Sequence, residues 1–368
     1  MRLLHIYGGN LYGGVERLLA SLQEWAPLAP DLDQRFALCY QGRLARELSA
    51  HGASVHALGE VHASRPWQVL GARRRLWRWI EHNQIQAAIC HSWWPYAVFA
   101  PAARRAGIPV GLWVHETTTG RGWLERWAGR RRPDFLLTWG TGMAAALHRL
   151  FPQPAAEILG PPVPIPPPLS TAARAAARAQ QGAASGDVVL LQASRFEPWK
   201  GHGLLIEALA RLRDLPSWQL WVAGGAQRPH EAAYGRALRT RAAQLGLQER
   251  IHWLGERTDV SRLMQAADIF CQPNTEPEPY GVVFLEALAA GLPVVATAPG
   301  GATEIITPAC GYLTAPEPAA VAGALRACIT NPGERRRLAA AGPDRARELS
   351  DPARQMRRYQ SLVLEGTR

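Results

Sequence analysis

Gly160-Pro161-Pro162-Val163-Pro164-Ile165-Pro166-Pro167-Pro168 divides this chain in two. Seven of its nine residues are glycine or proline, which suit neither a helix interior nor a central strand. The stretch therefore reads as a connector, followed by an Ala-, Arg- and Gln-rich segment to Gly186. Upstream, short apolar runs alternate with helical stretches. Strands are expected at Leu3 to Tyr7, Arg35 to Cys39, Ser54 to Leu58, Gln86 to Cys90, Pro109 to Val114 and Phe135 to Thr138. Downstream, a second series begins at Asp187, with strands at Val188 to Ala193, Gln219 to Ala223, Arg250 to Leu254, Ile269 to Gln272 and Val294 to Ala296. Helical segments are expected at 202–213, 231–245, 258–266 and 282–290. Strand and helix in alternation is the rhythm of a parallel sheet covered on both faces. The expected fold is α/β with two Rossmann-like domains facing across a deep cleft. The boundaries read 1–160, a linker at 161–186, 187–350, and a C-terminal helix at 351–368 packing back on the first domain.

Length agrees with two domains, since 368 residues exceed what one core usually serves. With 47% hydrophobic and 19% charged residues the composition is globular, and no run approaches the roughly 20 apolar residues of a membrane span. The start reads as a first strand rather than a secretory signal. Cysteines 39, 90, 271, 310 and 328 form no Cys-x-x-Cys pair, and the histidines form no His-x-x-x-His pair. Neither a structural zinc site nor a disulfide-built fold is expected.

The densest chemistry lies after the connector. Ser194-Arg195-Phe196-Glu197-Pro198-Trp199-Lys200-Gly201 follows a strand and precedes a helix, and Lys200 is the only lysine among 41 basic residues. Two cations beside free helix amides suit an anion such as a diphosphate, although a solvated loop would read the same way. Glu278 lies in a proline-broken loop and Glu286 on the helix opening near Val282. Eight positions separate them, so they are a loop acid and a helix acid rather than a same-face pair. Carboxylates of this kind accept hydrogen bonds from paired sugar hydroxyls, or simply favour the positive end of a helix. Gly281 would let the backbone of 281–283 approach a phosphate closely. The turn Gly291-Leu292-Pro293-Val294 and the loop Pro299-Gly300-Gly301-Ala302-Thr303-Glu304 bring further amides.

In this order the motifs resemble the retaining glycosyltransferases of GT-B fold, the family of sucrose-phosphate synthases and bacterial lipopolysaccharide and exopolysaccharide transferases. The resemblance rests on Glu278, seven residues, Glu286, then Ala287-Leu288-Ala289-Ala290-Gly291-Leu292-Pro293-Val294. Arg195 with Lys200, Ala223-Gly224-Gly225, Leu254-Gly255, Gly300-Gly301 with Glu304, Gly13-Gly14-Val15-Glu16 and His115-Glu116 follow in family order. It implies that Arg195 and Lys200 neutralise a donor diphosphate, that Glu278 faces the donor sugar and that Glu286 holds the ribose. Gly224, Leu254, Gly281, Val282, Val283 and Glu304 would complete the nucleotide-sugar site. Gly13, Gly14 and His115 would serve it from the first domain, His115 near the reacting centre. The implied reaction is retaining and metal-independent, with no cofactor, from a UDP- or GDP-sugar to a glycan or lipid-linked acceptor in surface or extracellular polysaccharide synthesis. Departures are mild: Ala223-Gly224-Gly225-Ala226 replaces Gly-x-Gly, and Tyr280 stands where phenylalanine is commoner.

Charge is uneven. Residues 1–185 hold 20 arginines against 11 acids, and residues 186–368 hold 21 basic residues against 19 acids. Ten of 14 tryptophans fall in the first part. Arg73-Arg74-Arg75-Leu76-Trp77-Arg78-Trp79-Ile80 sets Val69, Leu76, Trp77 and Ile80 on one helical arc and Arg74, Arg75 and Arg78 opposite. Trp123 and Trp127 lie one turn apart before Arg130-Arg131-Arg132. Such segments suit an anionic membrane surface or an anionic lipid-linked acceptor, or are ordinary solvated faces. The expected location is cytoplasmic, peripheral at the inner face of the membrane. Rival readings are a sugar-nucleotide epimerase of similar architecture, a hydrolase using the two glutamates, a silent sugar-nucleotide sensor, and a nucleic-acid binder. No recognition-helix or zinc-finger pattern supports the last, so nucleic acid is not expected as a partner.

Overall fold

The structure is a computed structural model describing residues 1–9, 11–298 and 300–367. It contains two parallel sheets in two compact units, one formed by Met1–Pro162 with the tail from Ser350, the other by Val163–Leu349.

The first unit is built on strands β1 (Arg2–Tyr7), β2 (Asp33–Leu38), β3 (Ser54–Ala57), β4 (Ala87–His91), β5 (Val110–Trp113), β6 (Leu136–Thr138) and β7 (Ala156–Ile158). They pair in the order β3-β2-β1-β4-β5-β6-β7, every pair parallel. The central strands β4 and β5 are buried at every residue, the consequence of helices on both faces. Expected strands match β1 to β6 within two residues at each end. The edge strand β7 has no counterpart in the sequence reading, because its three half-exposed residues form no apolar run.

Helix Trp93–Arg105 crosses this core with Pro101 inside it. Proline has no N–H to offer the carbonyl of Ala97 four positions back. Arg73 supplies the missing donors: its Nη2 lies 3.1 Å from Ala97 O and its Nε 2.5 Å from Val98 O. One of the arginines of the basic stretch is thus a structural cap, whereas Arg74 and Arg78 are exposed.

The second unit holds β8 (Val188–Ala193), β9 (Trp218–Ala223), β10 (Ile251–Gly255), β11 (Ile269–Gln272), β12 (Val294–Thr297) and β13 (Gly311–Thr314). The order is β10-β9-β8-β11-β12-β13, again parallel throughout. Only β13, a short edge strand, was not expected. The four helices at 202–290 fall where periodicity puts them, as His202–Ala210, Pro229–Gln244, Val260–Ala266 and Val282–Ala289.

The segment 161–186, read as a linker, is a connector only at its start. Helix Thr171–Gln180 begins on Ser170, whose Oγ accepts from the Ala173 N–H at 3.2 Å. Its Arg178 is buried, with Nη1 2.9 Å from Asp268 Oδ2 and 3.0 Å from Ala266 O, while Arg174 Nη2 lies 2.7 Å from Asp268 Oδ1. A buried guanidinium holds its place only with a carboxylate opposite, so this helix is part of the second unit. Composition revealed a helix former but not a partner some ninety positions away.

Helix Pro352–Gly366 packs in the first unit, where the Tyr359 hydroxyl lies 3.0 Å from His5 Nε2 and Gln360 Nε2 donates to Asp31 Oδ2 at 2.8 Å.

Candidate active site

Both sheets reverse direction of growth once, between β1 and β4 in the first and between β8 and β11 in the second. Loops leaving the carboxyl ends of the two strands at such a point diverge and leave a crevice, the usual ligand position in doubly wound sheets.

In the second unit those loops carry Lys200 and Glu278. Lys200 ends a one-turn helix, Pro198–Lys200, after β8, and its Nζ lies 2.7 Å from Glu278 Oε2 in the loop after β11. The two side chains are only 15% and 10% exposed. Nζ also sits 3.8 Å over the Trp199 ring, and Gln192 Nε2 fixes the turn by donating to Lys200 O at 2.8 Å. Asn274, part of Gln272-Pro273-Asn274-Thr275 where the family more often has Pro-Ser and given no role from the sequence, donates from Nδ2 to the same Glu278 oxygen at 2.8 Å. It is buried and held in turn by Thr297 Oγ1, which donates to Asn274 O at 2.5 Å. An asparagine four residues before the loop acid was a signal available in the sequence, but one with no partner until the loop closed.

Arg195 stands at the same sheet edge but engages other acids. Its Nη2 lies 2.8 Å from Glu197 Oε1 and its Nη1 3.1 Å from Glu231 Oε1. Glu231 is fully buried and also accepts from the Gln227 N–H at 2.6 Å, which orients the guanidinium from beneath. The guanidinium is thereby preorganised rather than free to roam. Glu231 was missed because it lies inside an ordinary-looking helix, Pro229–Gln244.

Two glycines of this site carry a backbone constraint. Gly224 (φ +120°) rests on the backbone of Ser194, which a Cβ would overlap, and Gly281 (φ +101°) opens helix Val282–Ala289 from the left-handed region. Gly224 therefore lets the loops after β8 and β9 touch, and a Cβ on Gly281 would strike the Phe284 ring and press on the Glu278 side chain. Val282 is buried, while Val283, Glu286 and Leu254 are half-buried. Glu304 is half-buried in the short helix Ala302–Ile305, whose last carbonyls accept from Arg345. Gly300 pairs with Glu278 in a parallel bridge, and Gly301 N donates to Glu278 O at 2.8 Å, so this loop props up the glutamate. Pro299 of the same loop lies outside the described residues.

In the first unit, Gly13 caps helix Gly14–Glu24 after β1, and its N–H donates to Glu16 Oε2 at 2.9 Å. Gly14 faces Trp139, whose ring also meets His115 edge-on at 5.0 Å. His115 follows β5 and is 5% exposed. Burial pushes its imidazole down to about 3, so the ring is neutral at any ordinary pH. Next to it, Glu116 accepts from the Trp93 N–H at 3.1 Å, and Ser92 takes a φ of +79° that a serine rarely adopts. Among the described residues no cluster of His, Cys, Asp and Glu has the geometry to hold a metal ion.

The two halves match known domain families. Residues 12–165 match the model described as Glycosyltransferase Family 4, and residues 173–345 the one described as Glycosyl transferases group 1. The chain thus carries a Glycosyltransferase Family 4 domain followed by a Glycosyl transferases group 1 domain. Among its relatives, the lipopolysaccharide core biosynthesis mannosyltransferase LpsB of Rhizobium meliloti is 39% identical over 31% of this chain and 32% of its own length. The phosphatidyl-myo-inositol mannosyltransferase of Mycobacterium leprae is 34% identical over 50% of this chain and 49% of its own. The chain thus spans about a third to a half of these curated relatives. The solved structure of Anabaena HepE in complex with UDP and glucose superposes with a TM-score of 0.88 over 99% of both chains at 22% identity. The fold is therefore GT-B, two Rossmann-like domains.

Proposed function

We propose that the protein transfers a sugar from a nucleotide diphosphate sugar to a glycan or lipid-linked acceptor, with retention at the anomeric carbon and without a metal or other cofactor. The carrying observation is the Lys200–Glu278 pair at the turning point of the second sheet, within a group 1 glycosyltransferase domain. When the anomeric bond to the nucleotide breaks, its electron pair stays on the departing diphosphate, which gains one negative charge beyond those it already carried. In this reading Lys200, Arg195 and the amides of 281–283 stabilise that charge as it forms. Glu278, oriented by Lys200 and Asn274, accepts hydrogen bonds from donor sugar hydroxyls, and Glu286 from the ribose. Gly224, Leu254 and Glu304 are assigned to the nucleotide within the second unit. That HepE of the same fold was solved with UDP and with UDP-glucose supports a uridine diphosphate donor, a guanosine diphosphate sugar being the alternative.

The acceptor is proposed to be anionic or membrane-borne. Trp67 and Leu70 are 69% and 63% exposed on helix Pro66–His82, beside exposed Arg74 and Arg78. Trp123, 62% exposed, stacks on Trp127 at 6.1 Å. Aromatic rings flanked by arginine fit a lipid headgroup layer, and no described helix is long and apolar enough to cross one. We propose on this basis that the reaction runs at the cytoplasmic face of a membrane, in surface polysaccharide synthesis.

The test is mass spectrometry of UDP-, GDP- and ADP-sugars incubated with the protein and a membrane lipid extract. Free nucleoside diphosphate with a glycosylated product, lost in Lys200→Met, is the expected result. A sugar altered while still attached to its nucleotide would mark an epimerase and refute the proposal.

A further inference from the structure

His5, His91 and His115 lie on the adjacent strands β1, β4 and just past β5, and form one hydrogen-bonded row through the first core. His5 Nδ1 is 2.8 Å from His91 Nε2, and His91 Nδ1 is 2.9 Å from His115 Nε2. The rings of His91 and His115 stack at 5.2 Å with 3° between their planes. All three are buried, and burial pushes His5 down to about 3 and His91 well below its ordinary value, so the row carries no charge. At its inner end His5 Nε2 lies 3.1 Å from Gln34 Oε1 and 3.0 Å from the Tyr359 hydroxyl.

The direction of the row follows from Gln34. Its Nε2 donates to Leu22 O at 2.8 Å, so the atom turned to His5 is the carbonyl oxygen, which can only accept. His5 must then carry its proton on Nε2 and accept at Nδ1. His91 in turn donates from Nε2 and accepts at Nδ1, and His115 donates from Nε2. A neutral imidazole has one N–H, so His115 Nδ1 is left with a lone pair. That atom is buried and has no hydrogen-bond partner among the described residues. The opposite polarity, started by a donating Tyr359 hydroxyl, would set the Gln34 carbonyl against a lone pair.

We infer that Gln34, His5 and His91 are positioning residues that hold His115 as the Nε2–H tautomer, so that Nδ1 accepts a hydrogen bond from a hydroxyl of the bound substrate. The substrate half of this rests on the transferase function proposed above. The tautomer half is a property of the free protein and is measurable without turnover.

The experiment is long-range proton–nitrogen NMR on the full chain labelled with 15N-histidine, beside turnover of the donor accepted in the assay above. In the unaltered protein, three buried neutral rings with the Nε2–H pattern are expected. Gln34→Met removes the only obligate acceptor and should convert His115 partly or wholly to Nδ1–H. It should also lower kcat about tenfold, the worth of one hydrogen bond near 1.4 kcal/mol, with donor KM little changed. Tyr359→Phe removes the competing donor and should keep both the pattern and the turnover of the parent. An Nδ1–H signal from His115 in the unaltered protein overturns the inference even where a variant fails to fold. So does Gln34→Met with an unchanged tautomer, or with a changed tautomer and full turnover. The expected tautomer with no transfer from any nucleotide sugar would sink the transferase reading and the substrate half, and the row would stand.

Discussion

Acid should weaken the first unit steeply, and the three buried histidines set the amount. Burial pushes folded His5 and His115 down to about 3, against about 6.5 for an exposed imidazole, and His91 well below its ordinary value. The folded state therefore refuses protons that the unfolded chain accepts. The contribution to stability is complete above pH 6.5 and is lost as pH falls from there toward 3. At pH 5.5 an unfolded imidazole is about 90% protonated, which favours unfolding by about 1.4 kcal/mol per ring. Three rings give about 4 kcal/mol, a large part of the 5 to 15 kcal/mol that ordinarily holds a domain. The ring neighbours of the row, Tyr7, Phe36, Trp113, Trp139 and Tyr359, carry no carboxylate, and Glu116 accepts from the backbone N–H of His115 at 3.3 Å rather than from its ring. The assay is urea unfolding at pH 7.5 and 5.5 at equal ionic strength, with hydrogen exchange of peptides from β1 and β4 reporting the first unit. His115→Phe should reduce the pH slope by about one proton. A free energy for the first unit that agrees within 1 kcal/mol at the two pH values would refute the reasoning.

Three further outcomes follow from geometry. Lys200→Met should destabilise the second unit by about 3 kcal/mol, because it leaves a nearly buried carboxylate without its cation; Lys200→Met with Glu278→Gln should recover most of that by thermal unfolding while transfer stays lost. Gly301→Ala would push a Cβ into the Tyr280 backbone and displace the support of Glu278, so a loss of about 1 to 3 kcal/mol with at least tenfold lower turnover is expected; unchanged turnover would show that the loop does not set Glu278. Arg178→Ala should cost about 3 kcal/mol and expose residues 171–180 to proteolysis; a protected segment would show that the Asp268 contact does not anchor it.

The sequence made the sheets legible because parallel strands are buried on both faces and so appear as uninterrupted apolar runs, as in Ile269–Gln272 and Val294–Thr297. It hid β7 and β13, whose edge positions need no such run. The loop chemistry was half visible. Lys200 and Glu278 could be named from their places after strands, but that they touch depends on β8 and β11 being neighbours, which strand order alone decides. The same holds for the histidine row. Nothing in the spacing of 5, 91 and 115 links them, and only the order β1-β4-β5 sets them side by side. Glu231 and Asn274 were given no role for a related reason, since each matters through a partner distant in sequence.

Lys200 has one more consequence. As the only side-chain amine in 368 residues, it makes the chain selective toward amine chemistry by composition alone. Once the α-amine of the N-terminus is blocked, an acylating or aldehyde reagent meets one side-chain amine, in the loop after β8. Because the ammonium is tied to Glu278 and roofed by Trp199, its rate of modification becomes a gauge of whether that loop is open or occupied. A covalent label placed on this chain would therefore land on a chemically addressed position without any engineered cysteine.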